Sequence, residues 1–477
     1  MENTVLVWLR NDLRLHDNEA LYKAAVRTKN VIPFVCIDPR QFAPTPLGFT
    51  KTGARRAQFL LESIADLRQR LQSIGSNLVV RIGQPADVVA ELQSATGATL
   101  LYTSKEVTAE ELADEQAVES ILQQRGARMF TFWQSTLYHV DDIPFGNIGL
   151  LPDVFTEFRK QTEKATRVRD IFPVPAKLNP VTVQIGNIPT LEDLGLPTPE
   201  QDSRTLVTFK GGETAALERL QQYFWKQDLL KVYKETRNGL LGADFSSKFS
   251  PWLALGCLSP RYVYDQVRQY EAKRVKNDST YWLIFELIWR DYFRFVALKY
   301  GTRLFKKGGI KQDIRMQWIQ NESLFQKWVE GKTGIPFIDA NMQELAATGF
   351  MSNRGRQNVA SFLVKDLKID WRWGAMYFEH ALIDYDVCSN WGNWNYVAGI
   401  GNDPRENRYF NILKQAKQYD PKGEFVKHWL PVLRAVPAAT VHVVGDLSYN
   451  ELQSYGIRLG GNYPHPMVKN SKWLKEA

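Results

Sequence analysis

Cysteine is scarce in this chain. Three of its 477 residues are cysteine (Cys36, Cys257 and Cys388), and they lie far apart, which excludes a disulfide framework and a thiolate metal cluster. The six histidines are as scattered, with no HxH or HxxxH spacing, so neither a structural nor a catalytic metal is expected. No apolar run approaches the ~20 residues that span a bilayer. The apolar burst Val5 to Leu9, with Arg10 and Asp12 close behind, reads as a buried strand and not as a leader. A cytoplasmic location is expected, or an organelle if a leader was removed. The glycine-rich fingerprint GxGxxG is missing after that strand, where WLRNDLRLHDN stands instead. GKTG at 331–334 is not a phosphate loop, because Gln326 stands where a glycine is required and no strand precedes it. It reads as a turn between helices. Internal repeats and low-complexity tracts are also lacking.

The length exceeds one ordinary hydrophobic core and implies two or three domains. Apolar content of 44% and charged content of 23% are those of a soluble globular protein. The net charge of +8 and pI near 9.1 fit an anionic partner, or a generically basic surface.

Two grammars divide the chain. Residues 1–133 alternate short apolar runs (TVLVWLR, VIPFVCI, LVVRIG, ATLLYTS, RMFTFW) with amphipathic stretches such as Arg55 to Leu71. That alternation predicts an α/β domain, Rossmann-like, with a parallel five-stranded sheet covered by helices on both faces. Residues 134–210 form a connector; eight of the 22 prolines fall between Pro144 and Pro199. From residue 211 to 477 the helical period dominates and 12 of the 14 tryptophans occur. This half reads as an all-α domain large enough to enclose an aromatic ligand.

Four constellations stand in the helical half. In SSKFSPWLALGCLSPR, Ser246, Ser247 and Ser250 precede a run that Pro251 can start, with Lys248 adding charge. They are an anion site or ordinary helix caps. Glu286 and Arg290 share a helix face in an aromatic run, either as a buried ion pair or as two groups aimed at a polar ligand. Asn353, Arg356 and Gln357 cluster on one helical face, with Arg354 pointing elsewhere. Asp386, Asn390 and Trp394 recur every four residues, a stripe that needs buried hydrogen-bond partners.

In order along the chain, WLRNDLRLHDNEAL, SSKFSPWLALGCLSPR, ELIWRDYFRF, EGKTGIPFIDANM, NRGRQNVASFLVKDLKIDWRWG and DYDVCSNWGNWNY resemble the photolyase/cryptochrome family, collinear from about residue 4 to about residue 430. The resemblance implies a folded FAD in the helical domain. Its phosphates would meet Ser246, Ser247, Lys248, Phe249 and Ser250, with Tyr233 beside them. The flavin and its sugar chain would meet Glu286, Arg290, Asn353, Arg356, Asp384, Asp386 and Asn390, the last near flavin N5. The Arg356–Asp384 pair would lie against the ring. Trp394, Trp371 and Trp318 match the family's electron relay to photoexcited flavin.

Tyr396, Gln357 and the lysine of SSKFS look like the DASH cryptochrome branch, whose members repair cyclobutane pyrimidine dimers in single strands. Glu286 would hydrogen-bond the dimer and Tyr396 would line its pocket. Arg354, Arg408, Lys414 and Lys417 would hold the DNA backbone, or form a solvated basic face. A methenyltetrahydrofolate antenna between the domains is implied, with Glu110 its best-matched contact; a deazaflavin or no antenna are the alternatives. The expected function is light-driven repair by a monomer acting on single-stranded DNA, with a blue-light photoreceptor or a DNA-binding regulator as the competing readings.

Overall fold

The computed structural model describes residues 4–405 and 408–474. The five apolar runs form strands β1 (Val5–Leu9), β2 (Val31–Ile37), β3 (Val79–Ile82), β4 (Leu100–Ser104) and β5 (Arg128–Phe132), all parallel in the order β3-β2-β1-β4-β5. Residue alternation along β1 serves two cores. Leu6 and Trp8 pack with Val88, Val89, Leu92, Val118 and Leu122 on one face. Val5, Val7 and Leu9 face the other side, whose core runs without a break into the helical half. Side chains buried on both faces explain why β1, β2 and β4 read as continuous apolar runs.

The segment predicted as a connector has structure of its own. Its helix Phe155–Ala165 docks Phe155 on Trp289, with the rings stacked at 3.5 Å. Farther on it returns to β3, where Val80 N–H donates to the Ile185 carbonyl at 2.8 Å. An edge strand is thereby covered. Among the described residues, the helical half carries isolated bridges, such as Ile319 with Ile369, and no strand. Its longest helix, Asp278–Tyr300, starts on a capping box formed by Asn277 and Thr280. GKTG is a turn before the helix Pro336–Thr348, held by Asp339, which accepts from the Thr333 and Gly334 N–H groups at 2.7 and 2.9 Å.

WLRNDLRLHDN, which stands where the dinucleotide fingerprint would be, joins the two halves. The Arg14 guanidinium is buried and donates to the carbonyls of His16, Asp17, Gln134 and Gly256. Asp17 pairs with Arg261 at 2.6 Å. Glu213, fully buried, accepts from Leu15 N–H at 2.7 Å and His16 N–H at 3.2 Å, and from Arg70 at 2.7 and 2.9 Å. Gly256 has φ 65°, and a Cβ there would meet the Asn11 carbonyl oxygen at 2.0 Å. Glycine is required at that close approach. Among the described residues no helix is long and apolar enough to cross a membrane, and no group of His, Cys, Asp and Glu is placed to hold a metal ion.

Candidate functional site

The helix Asp278–Tyr300 is mostly buried, but Trp282, Phe285, Glu286, Trp289 and Arg290 are only half-buried. Their spacing puts them on one face, where Phe155 packs against Trp289 and Phe285 and the carboxyl and guanidinium of Glu286 and Arg290 are the polar groups. Glu286 and Arg290 do share that face, yet they do not pair with each other. Glu286 pairs with Arg237, and burial raises its pKa above the usual carboxylate value, with the Arg237 charge pulling it back. Arg290 donates to the carbonyls of Ser135 and, at 3.1 Å, Leu253, and stands 3.9 Å from Asp386. A partner 49 residues upstream is more accessible to Glu286 than its helical neighbour.

The serine-rich turn 246–250 is held from behind by Arg219, which donates to the carbonyls of Ala243, Ser246 and Ser247 at 3.0–3.1 Å. The short helix Ser250–Ala254 starts there with Phe249 at its N-cap, so no serine hydroxyl takes the capping position. Ordinary capping is not their role. Lys248 adopts a left-handed backbone, φ 55°, and its ammonium lies 4.7 Å over the Phe350 ring. Burial lowers the pKa of Lys248 and pushes that of neighbouring Glu344 up to about 8. Tyr233 is buried at the start of the helix Tyr233–Thr236, and burial, then the Glu286 charge, raises its pKa.

The expected Arg356–Asp384 pair forms at 2.7 Å, with Arg356 also donating to the Met351 carbonyl at 2.8 Å. Asn353, at the first turn of the helix Asn353–Ser361, is exposed. Asp386 is the N-cap of the helix Val387–Ala398 and accepts from Ser389 N–H at 2.7 Å; Asn390 donates to the Ala375 carbonyl at 3.0 Å. The protein itself therefore satisfies part of the polar stripe. One group does not fit that account: Asp384 Oδ1 is buried with no hydrogen-bond partner while Oδ2 is held by Arg356. A buried acceptor left bare costs about 1–3 kcal/mol. FAD carries hydrogen-bond donors on its ring, ribityl chain and adenine, so this donor set fits it.

Trp371 is fully buried and donates its indole N–H to the Lys307 carbonyl at 3.1 Å. The Ile319–Ile369 bridge, with Asp370 N–H donating to the Ile319 carbonyl at 3.1 Å, brings the neighbour of Trp318 in sequence beside the neighbour of Trp371. Trp394 packs edge-on against Phe378 at 5.1 Å, and a Cβ on Gly374 would meet its ring at 2.2 Å. The described ring contacts link Trp371 to Trp391, at 5.6 Å, and Trp394 to Trp328, at 6.4 Å.

Around the Glu286 face lies a rim. Tyr396 meets Trp289 edge-on at 6.2 Å. Arg408 lies 4.8 Å over the Tyr396 ring, donates to its hydroxyl at 2.9 Å and pairs with buried Asp403. The structure thus turns Arg408 toward Tyr396 and Asp403. Arg354 does not point away from Gln357 as its helical position suggests; it donates to Gln357 Oε1 at 2.7 Å and to Asn238 Oδ1 at 3.0 Å. Lys414 and Lys417 are exposed on the helix Ile412–Tyr419. Arg237 and Trp289 were not singled out by sequence. Trp289 was detectable, three residues after Glu286 on the same face; Arg237 carried no signal.

A cavity of about 750 Å³ opens between the sheet and the helical half, beyond the carboxyl ends of β1 and β2, with Arg10, Asp38, Glu110, Arg290, Tyr385 and Trp391 in its wall. The strand order reverses at β1 and β4, where open α/β sheets bind ligands. Glu110 pairs there with Lys51, and the buried Arg294–Glu106 pair, at 2.7 Å, bridges sheet and helices.

Residues 282–477 match the family model described as the FAD binding domain of DNA photolyase, and residues 5–177 the model described as DNA photolyase. The chain is 55% identical over 466 residues to a cryptochrome DASH of Gloeobacter violaceus, covering 98% of this chain and 93% of that one. The crystal structure of a Synechocystis sp. cryptochrome superposes with a TM-score of 0.95 at 51% identity, over 99% of this chain and 98% of that one. A bacterial class III photolyase from Agrobacterium tumefaciens gives a TM-score of 0.86 at 28% identity, over 100% of this chain and 96% of that one.

Proposed function

The chain belongs to the photolyase/cryptochrome family, in its DASH branch, and from that premise we propose that it is a blue-light-driven repair enzyme for cyclobutane pyrimidine dimers in single-stranded DNA. Its helical half is an FAD-binding domain of the photolyase kind. We retain 1–133, 134–210 and 211–477 as its division, and a monomer in the cytoplasm as its working form.

The observation that carries the proposal is the rim itself. Glu286, on the Arg237 pair, stands one helical turn from Trp289, whose ring meets Tyr396. That arrangement sets a carboxyl beside the edges of Trp289 and Tyr396, which suits a dimer of two joined pyrimidine rings with polar edges. Arg356 and Asp384 would hold the flavin, Ser246 to Ser250 its phosphates, and Asn390 its N5 edge. FAD, when bound and reduced, supplies the light-excited electron that splits the dimer. Glu286 would hold the dimer's edge, and Tyr396 and Trp289 would exclude water from it. Flipping a lesion from a duplex costs a few kcal/mol of unstacking and pairing that a single strand does not demand. A methenyltetrahydrofolate antenna would occupy the cavity beside Glu110, where mixed acidic and basic walls suit a polar, aromatic ring.

Blue light on reduced holoprotein with a single-stranded oligonucleotide carrying one thymine dimer should remove the dimer, with none lost in the dark. A light-stable dimer would favour the photoreceptor reading. The DNA contacts make a second expectation. Replacing Lys414 and Lys417 together by alanine should make the slope of log K against log salt shallower by about 1.4 for a single strand, at ~0.7 per phosphate released. An unchanged slope assigns both lysines to a solvated face.

A further inference from the structure

We propose that the tryptophan relay has a second exit, through Trp391 to Tyr385, which ends as a proton-coupled redox site in the wall of the interdomain cavity. The inference rests on the electron relay that the family resemblance implies for Trp394, Trp371 and Trp318.

The path is built from contacts. Trp371 meets Trp391 edge-on with 5.6 Å between ring centroids. The Trp391 indole N–H donates to the Tyr385 hydroxyl at 3.2 Å. That hydroxyl lies beside the carboxyl of Glu379, whose pKa burial raises, with Lys51, Arg56 and the Tyr385 hydroxyl pulling it back. Trp391, Tyr385 and Glu379 all line the cavity. Arg56 lies 4.3 Å over the Tyr385 ring and donates to the Glu379 carbonyl at 2.9 Å. Lys51 stands 3.9 Å from the Glu379 carboxylate.

These neighbours dictate the chemistry. A guanidinium over the ring opposes a positive charge on the phenol, so Tyr385 can give up an electron only as it gives up its proton. Glu379 is the acceptor in place. The hole reaches Trp391 from Trp371, and photoexcited oxidised flavin is the primary oxidant. One electron then passes from Tyr385 to the Trp391 radical cation, which returns to neutral indole. The Tyr385 O–H bond breaks, a Glu379 O–H bond forms, and a neutral phenoxyl remains. Burial raises the Glu379 pKa and makes its carboxylate a stronger proton acceptor, while Lys51 and Arg56 draw it back toward the charged form that must receive the proton.

Transient absorption and spin resonance on holoprotein with oxidised FAD test this in the intact chain and in Trp371→Phe, Trp391→Phe, Tyr385→Phe and Glu379→Gln, each checked for flavin content. The intact chain should form a phenoxyl radical after the tryptophan radical, more slowly in D₂O than in H₂O. Tyr385→Phe and Trp391→Phe should lose the phenoxyl signal while tryptophan oxidation continues. Glu379→Gln should delay it. A phenoxyl signal that survives Tyr385→Phe, or tryptophan oxidation with no phenoxyl in the intact chain, overturns the branch and leaves the relay standing. Photoreduction unaltered in Trp371→Phe overturns the relay and the branch together. The solvent isotope comparison needs no substitution, so it decides the proton step even where a variant fails to fold.

Discussion

Replacing Glu213 by alanine is expected to cost about 3–5 kcal/mol and to loosen the two halves of the molecule from one another. The carboxylate is fully buried and serves two backbone N–H groups, the His16 ring and the Arg70 guanidinium. Alanine leaves all of them without an acceptor and, in Arg70, a charge without its partner. Burial alone would raise the Glu213 pKa, yet the His16 and Arg70 contacts and the Leu15 N–H hold it below its ordinary value. That reversal marks a site built for the anion. Urea unfolding of the two proteins, with limited proteolysis at the connector, provides the check. Equal midpoints and equal cleavage rates would show that the clasp contributes little.

The second large effect concerns the cofactor. Asp384→Ala removes both the partner of Arg356 and the bare acceptor Oδ1. A hydrogen bond to a charged group contributes about 1.5–3 kcal/mol. Loss of one such bond should therefore weaken FAD binding by roughly 10- to 150-fold, at tenfold per 1.4 kcal/mol. The fold should survive, since Arg356 keeps the Met351 carbonyl. Flavin-to-protein absorbance ratio after gel filtration, and the release rate of FAD on dilution, measure the effect. Asp384→Ala protein that retains FAD as tightly as the parent would place the flavin elsewhere.

The five strands were legible because each is a short apolar run bounded by polar residues, and β1, with both of its faces buried, gives the plainest signal of all. The Arg356–Asp384 pair was legible through the family motifs that contain both residues. Partnership across the chain was not. Glu286 and Arg290 have the right spacing for a pair, but spacing only permits contact, and Arg237, just past the end of the helix Tyr233–Thr236, won. Arg354 was misplaced for a related reason: a helical wheel fixes where a side chain leaves the backbone, whereas a long guanidinium bends to the nearest acceptor, here Gln357. The clasp around Arg14 and Glu213 was likewise hidden. LRLHDN carries the residues, but their partners lie some 120 to 250 residues away. Trp391 lies within DYDVCSNWGNWNY, yet an indole in an aromatic run reads as core until its neighbour is known.

Light-driven repair by this protein should favour single strands over duplexes. The most direct measurement follows thymine-dimer loss per absorbed blue photon by reduced holoprotein, on the same oligonucleotide single-stranded and annealed to its complement. Efficient loss in the single strand and little in the duplex is the predicted result. No loss in either, from protein with full flavin content, would exclude dimer repair as its function.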